Sequence, residues 1–264
     1  MVEDRKIFSR FLYPLLVAST YLFLYLPIFV LIIFSFNDSP TFVRWAGFSL
    51  RWYKQLFVTP EILQAAKVSL IVAFVTTFLS LAIGTCFVVS SKWWRTKFMF
   101  NLFYTNILLP EIVMGIGLLS VFSFLNLPLG YGSLISGHTL LGLGFVIPIL
   151  RARFTELDPV LTEASLDLGA SYFQTFIKVI IPLMMPSLLA SGLLVFTLSM
   201  DDFLISFFCS GPSVQPLSVY IYSMVKIGVH PTINAISALF LAASSILVLL
   251  LCSLKVIDRV ISYE

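Results

Sequence analysis

The sequence predicts an all-α integral membrane protein with six transmembrane helices, and three observations carry that prediction. The first is composition: of 264 residues, 59% are hydrophobic and 11% charged, whereas roughly a quarter of a soluble domain is charged. The second is the recurrence of apolar runs long enough to cross hydrocarbon, at about 11–36, 67–90, 98–125, 133–150, 183–208 and 233–254. Each run must be helical, because lipid leaves its backbone amides to be satisfied within the segment. The third is the placing of cations. Eleven Lys and Arg fall in the N-terminus, the 92–97 link, the 151–182 loop and the C-terminus, against five (Arg44, Arg51, Lys54, Lys67 and Lys226) in the segments between. The positive-inside rule then puts both termini in the cytoplasm.

The same composition excludes several functions. A dispersed net charge of +3 is no nucleic-acid footprint, so the expected surroundings are membrane lipid and protein. The chain has no GxxxxGK[ST] loop and therefore no means of hydrolysing ATP; neither enzyme activity nor a cofactor or metal is expected within it. Cys86, Cys209 and Cys252 stand alone and read as small apolar fillers. Without repeats or low-complexity tracts, residues 1–264 read as a single domain.

Span one, behind Arg5, Lys6 and Arg10, is longer than the roughly 7–15 residues of a leader's apolar core and so is read as a span, with Pro27 tolerated inside it. In the outer loop that follows, Ser49–Phe57 has the pattern of a capped amphipathic helix. Leu50, Tyr53 and Phe57 share its apolar face, and Trp45 and Trp52 are expected at headgroup level. A landing surface for a partner is the alternative. Span two leads to Trp93 and Trp94 among Lys92, Arg95 and Lys97. In span three, Pro110 frees the carbonyl of Asn106, and Glu111 places a carboxylate at bilayer depth, which costs several kcal/mol unless it faces protein or water. Gly137, Gly142, Gly144 and Pro148 give span four close-packing surfaces.

Span five, about 183–208, contains Asp201, Asp202 and Phe203. At about 1.5 Å per residue, Asp201 lies about 27 Å from Leu183, toward the outer side. Adjacent residues point roughly 100° apart, so at most one of the two Asp aims down a central path while the other caps or braces. The segment after Cys209 contains a short helix at about 217–227, before span six. Glu111, Asp201 and Asp202 make acidic span residues with no deep Lys or Arg beside them, which favours a cationic solute. Phe203, Phe207 and Phe208 add faces for cation–π contact. A protease reading fails: Ser133, Ser136 and His138 lack a positioned base and oxyanion motif, and adjacent Asp201 and Asp202 cannot form a facing dyad.

Loop 151–182 holds the strongest local pattern. Asp158 caps a helix opened by Pro159, and Val160, Leu161, Ala164 and Leu168 share its apolar face. Gly169 supplies the left-handed residue after it. Ser171 and Gln174 form a capping box for a second helix, striped by Phe173, Phe176, Ile177, Ile180 and Ile181 and ending near Pro182. Glu163 and Asp167, four residues apart, are a like-charge pair that a basic partner would relieve; a solvated helix edge is the plain alternative.

Glu163-Ala164-Ser165, three residues, Gly169, nine residues, Val179, one residue, Ile181-Pro182 resembles the cytoplasmic EAA loop of bacterial ABC-importer permeases. That loop runs Glu-Ala-Ala, Gly, Ile, Leu-Pro at the same spacing. Ser165, Val179 and Ile181 replace Ala, Ile and Leu. The resemblance implies the six-span type I importer architecture in a bacterial plasma (inner) membrane. It also implies that this loop, with Asp167 beside the motif, docks on a separate ATPase. Residues 196–202 and 210–212, and 221–229 with Pro231 and Asn234-Ala235, are further similar to the C-type permease subunits of spermidine/putrescine importers. That similarity implies a second permease subunit, two copies of the ATPase that bind ATP and Mg, and an extracytoplasmic polyamine-binding protein. Glu111, Asp201, Asp202 and Phe203 are then the expected substrate pathway. A permease for iron, thiamine or an anion is the alternative, and an ion-coupled secondary transporter a more distant one.

Overall fold

The computed structural model describes residues 2–40, 44–91, 97–228 and 230–253. The expected linker Trp93 and Trp94 and the terminal Lys255 and Arg259 lie outside the described residues. The described elements are helices: α1 (Val2–Phe34), α2 (Arg51–Val58), α3 (Pro60–Ser90), α4 (Lys97–Leu108), α5 (Glu111–Phe124), α6 (Tyr131–Glu156), α7 (Pro159–Asp167), α8 (Tyr172–Thr175), a π-helical turn at Phe176–Ile180, α9 (Ile181–Asp201), α10 (Leu204–Cys209), α11 (Leu217–Ile227) and α12 (Thr232–Ser253). Four of them are long and apolar enough to cross a membrane, or five spans if the bent α4–α5 pair is one. This is an all-α, multi-pass membrane fold. The described chain divides into two compact units, Met1–Pro60 with Ser223–Leu247, and Glu61–Tyr222 with Val248–Glu264.

In the first unit the loop after α1 is held by Asn37, 2% exposed. Its amide nitrogen donates to the Arg44 carbonyl at 2.8 Å, and its amide oxygen accepts from Ala46 N–H at 2.8 Å. Helix α2 exists as expected, but the face it buries differs. Trp52 and Leu56 are buried while Leu50 and Phe57 are exposed. Trp52 is therefore not an interfacial anchor: its indole N–H donates to the Asn37 carbonyl at 2.7 Å, and its ring meets His230 edge-on at 5.2 Å. An indole N–H with a buried partner can leave the interface at little cost. Trp45 stays half exposed, edge-on to Phe34 at 6.2 Å.

The second unit is a bundle whose α6 packs on α4, α9 and α10. Val88, Phe100, Val146, Ile147, Leu150, Met184 and Val195 form one buried cluster. At Gly142 a side chain would collide with Ser80 Oγ of α3 and come within 2.9 Å of Val195 of α9; this glycine is what lets three helices meet. Near the cluster's rim the Arg151 guanidinium lies 3.8 Å over the Phe100 ring, a contact worth about 0.5–2 kcal/mol.

Two expected spans and one loop helix differ in detail. Span three is not straight: the chain bends by 114° between α4 and α5. Pro110 lacks the N–H that would continue α4 and forces Leu109 out of helical geometry. Span five is interrupted after Asp201, and α10 resumes at Leu204. Pro182 does not end the second loop helix, because the chain runs helically from Tyr172 to Asp201. The π-helical turn absorbs the proline: Ile181 N–H donates to the Phe176 carbonyl five residues back, so the ladder passes a residue with no N–H. Cys209 is buried, as a filler should be, whereas Cys86 is exposed.

Candidate functional site: a carboxylate-walled cavity and an exposed helical loop

Both breaks in the bundle come together at one place. Glu111 opens α5 just after Pro110, and Asp201 closes α9. They line one cavity of about 230 Å³ together with Asp202, Leu141, Leu198 and Phe203. The two aspartates are not equivalent. Asp201 is exposed to the cavity, whereas Asp202 is 8% exposed. The Asp202 carboxylate accepts from Ser206 N–H at 2.8 Å and Ile205 N–H at 3.4 Å, so it caps the first turn of α10. Its backbone carbonyl accepts from the Ser218 hydroxyl at 2.8 Å. Of the two roles open to the pair, Asp202 takes the brace and leaves Asp201 with Glu111 on the open face.

Aromatic side chains flank that face. The Phe203 ring lies 4.7 Å from Tyr222 and 5.5 Å from Phe207, and Phe208 stands edge-on to Phe207. Tyr222 was not expected here from sequence; only the return of α11 brings it to Phe203. On the far side of Asp202 stands His138, also missed as a site residue. Its ring nitrogens contact Ser199 Oγ at 2.8 Å and Ser206 Oγ at 3.1 Å, with the Asp202 carboxylate 3.6 Å away. His138 does not pair with Ser133, whose hydroxyl donates to the Gly130 and Cys209 carbonyls.

The second candidate region is the loop carrying Glu163, Ala164, Ser165 and Asp167. The local chemistry is as read from sequence. Asp158 accepts from Val160 N–H at 2.9 Å, Gly169 sits at φ +87°, and Ser171 and Gln174 bond reciprocally. Ser165 Oγ meets Thr175 Oγ1 at 3.0 Å and ties the two helices together. The apolar face of α7 is left open, with Leu168 89%, Val160 60% and Leu161 45% exposed. Among the described residues neither Glu163 nor Asp167 has an ion-pair partner. Val179 and Ile181 are half-buried and Pro182 exposed where this loop joins α9.

A multi-pass helical fold whose interruptions meet at a carboxylate-lined cavity, with an exposed helical loop beyond it, fits a membrane transport component. Residues 76–262 match the family "Binding-protein-dependent transport system inner membrane component", and the chain belongs to that family; it is a permease subunit of an ABC importer. It is 39% identical over 235 residues, 88% of this chain and 89% of the relative, to the spermidine/putrescine transport system permease protein PotC of Escherichia coli K12. It is 33% identical over 235 residues, 85% of this chain and 83% of the relative, to the putrescine transport system permease protein PotI of the same strain. Among solved structures it resembles a bacterial ABC transporter that imports the acidic polysaccharide alginate, with a TM-score of 0.70 over 98% of both chains at 15% identity. It also resembles the MetNI methionine ABC transporter, with a TM-score of 0.53 at 21% identity over 75% of this chain and 93% of that one. Likeness at such identities concerns the fold alone.

Proposed function

We propose that this chain is the C-type half of a polyamine importer, moving spermidine or putrescine inward by alternating access. The observation that carries the reading is the pairing of Glu111 and Asp201 on one aromatic-flanked cavity in a chain whose relatives are named for spermidine and putrescine transport. An unpaired carboxylate within a membrane span is costly, and a passing alkylammonium offsets that cost transiently. An anionic cargo would leave both carboxylates opposed to it.

In this reading the chain is one permease domain over 1–264 crossing the bacterial inner membrane six times. The α4–α5 pair is one broken span, α9–α10 the fifth and α12 the sixth, with both termini cytoplasmic. It works with a second permease, two ATPase copies that bind ATP and Mg, and an extracytoplasmic polyamine-binding protein. Glu163, Ala164, Ser165, Asp167 and Gly169 form the face that meets the ATPase, and Val179, Ile181 and Pro182 join that face to α9. The open apolar face of α7 and the unrelieved acidic pair fit a partner surface with apolar and basic character. ATP-driven closure of the ATPases then moves α7 and α8, and α9 carries the motion to Asp201.

The test is labelled spermidine uptake by cells lacking their own polyamine import and supplied with the full transporter set. Asp201→Asn is expected to lower uptake roughly tenfold or more at matched assembly, a barrier change of about 1.4 kcal/mol. Absence of uptake with the unaltered chain would retire the polyamine reading, and equal uptake by the variant would retire Asp201 as a cargo contact.

A further inference from the structure

We propose that His138 is a positioning residue for the cargo path, fixing the helix break from which Asp201 reaches the cavity. The proposal rests on the reading of Asp201 as a cargo-facing carboxylate. A break inside a span releases backbone groups that lipid cannot satisfy. Here the Asp202 carboxylate and the Ser218 hydroxyl take up backbone groups at the break, and one imidazole bridges its two sides, contacting the hydroxyls of Ser199 in the last turn of α9 and Ser206 in the first turn of α10. His138 is 2% exposed and does not line the cavity, although Leu141, one turn further along α6, does. It therefore acts through its neighbours and not on the cargo.

The packing around it has the form of a built clamp. Beside His138, a side chain at Gly137 would come within 2.7 Å of Ile205, so the glycine lets α10 lie close enough for Ser206 to reach the ring. The Asp202 carboxylate is drawn to the same spot by the Ser206 and Ile205 N–H groups, and Ser218 takes up the Asp202 carbonyl. With Asp202 held on both its side-chain and backbone oxygens, the chain direction at the preceding residue is set, and Asp201 is left at the cavity wall. A neutral imidazole accepts at one nitrogen and donates at the other, while a hydroxyl does either, so the ring and both serines are satisfied in either tautomer.

The experiment follows the Asp201→Cys variant of the full transporter in detergent. It reads the rate at which a positively charged thiol reagent modifies the peptide carrying position 201, by mass spectrometry. In this background His138→Leu is expected to change the rate roughly fivefold or more, because buried hydroxyls lose their partner. His138→Gln, whose amide also offers a donor and an acceptor, is expected to return it to within about twofold of the parent. Ser199→Ala and Ser206→Ala remove the two contacts singly with little change of volume. They provide the same readout should His138→Leu not assemble, each expected to shift the rate in the same direction. An unchanged rate in His138→Leu, or in both serine variants, overturns the proposal, as does an equal change in His138→Leu and His138→Gln. The labelling result stands whatever the cargo proves to be, so failure of spermidine uptake and failure of the clamp are separate outcomes.

Discussion

Two neighbouring aspartates divide their work because a helix ends between them. Asp201 still belongs to α9, whereas Asp202 has extended geometry at φ −63° and ψ 126° and turns its carboxylate to the N–H groups of α10. Losing a helix cap costs about 0.5–2 kcal/mol. Asp202→Ala is therefore expected to lower the thermal midpoint of the purified complex, while Asp201→Ala leaves it near the parent value and lowers uptake; equal midpoints for both variants would contradict this division. Gly169 makes a second prediction at this scale. At φ +87° a β-branched side chain is strained by roughly 1–2 kcal/mol, and no neighbour crowds the position. Gly169→Val should thus assemble but raise the ATP hydrolysed per solute moved, checked by measuring both rates in one vesicle preparation.

At the scale of elements, the main finding is continuity from loop to cavity. The helix begun by the Ser171 capping box runs through a π-helical turn and α9 to Asp201 without a gap. In the proposed mechanism this element is what carries a displacement at Tyr172 to Asp201. Breaking the start of this element should weaken that transmission. Ser171→Ala removes one of the two reciprocal bonds, and a cap of this kind contributes about 1 kcal/mol. The expected result is faster amide hydrogen exchange at residues 172–176 and a lower ratio of transport to ATP hydrolysis. Unchanged exchange there would show that tertiary packing, not the cap, holds the turn.

At the scale of the whole molecule, the exposed face of α7 and the cavity at Asp201 belong on opposite sides of the membrane if the proposed topology holds. Leu168, at 89% exposed, offers the check. In a preparation without the ATPase, Leu168→Cys should react with a membrane-impermeant thiol reagent in inverted vesicles and not in intact cells, relative to the unaltered chain; the reverse pattern would invert the topology. Composition and the long apolar runs were enough to specify a helical membrane protein, because hydrocarbon admits few backbone solutions. Residues 158–174 were legible nearly bond by bond, because caps, turns and a left-handed glycine are local chemistry within a few residues. What only the tertiary structure decided depends on residues far apart in the chain. Trp52 leaves the interface because Asn37 offers its carbonyl, His138 joins the break because α6 packs on α10 and brings it to Ser199 and Ser206, and Asp202 is held as a brace because Ser218 reaches its carbonyl. Sequence can place a carboxylate at a depth, but only packing sets which way it points, since that direction depends on partners that other helices supply.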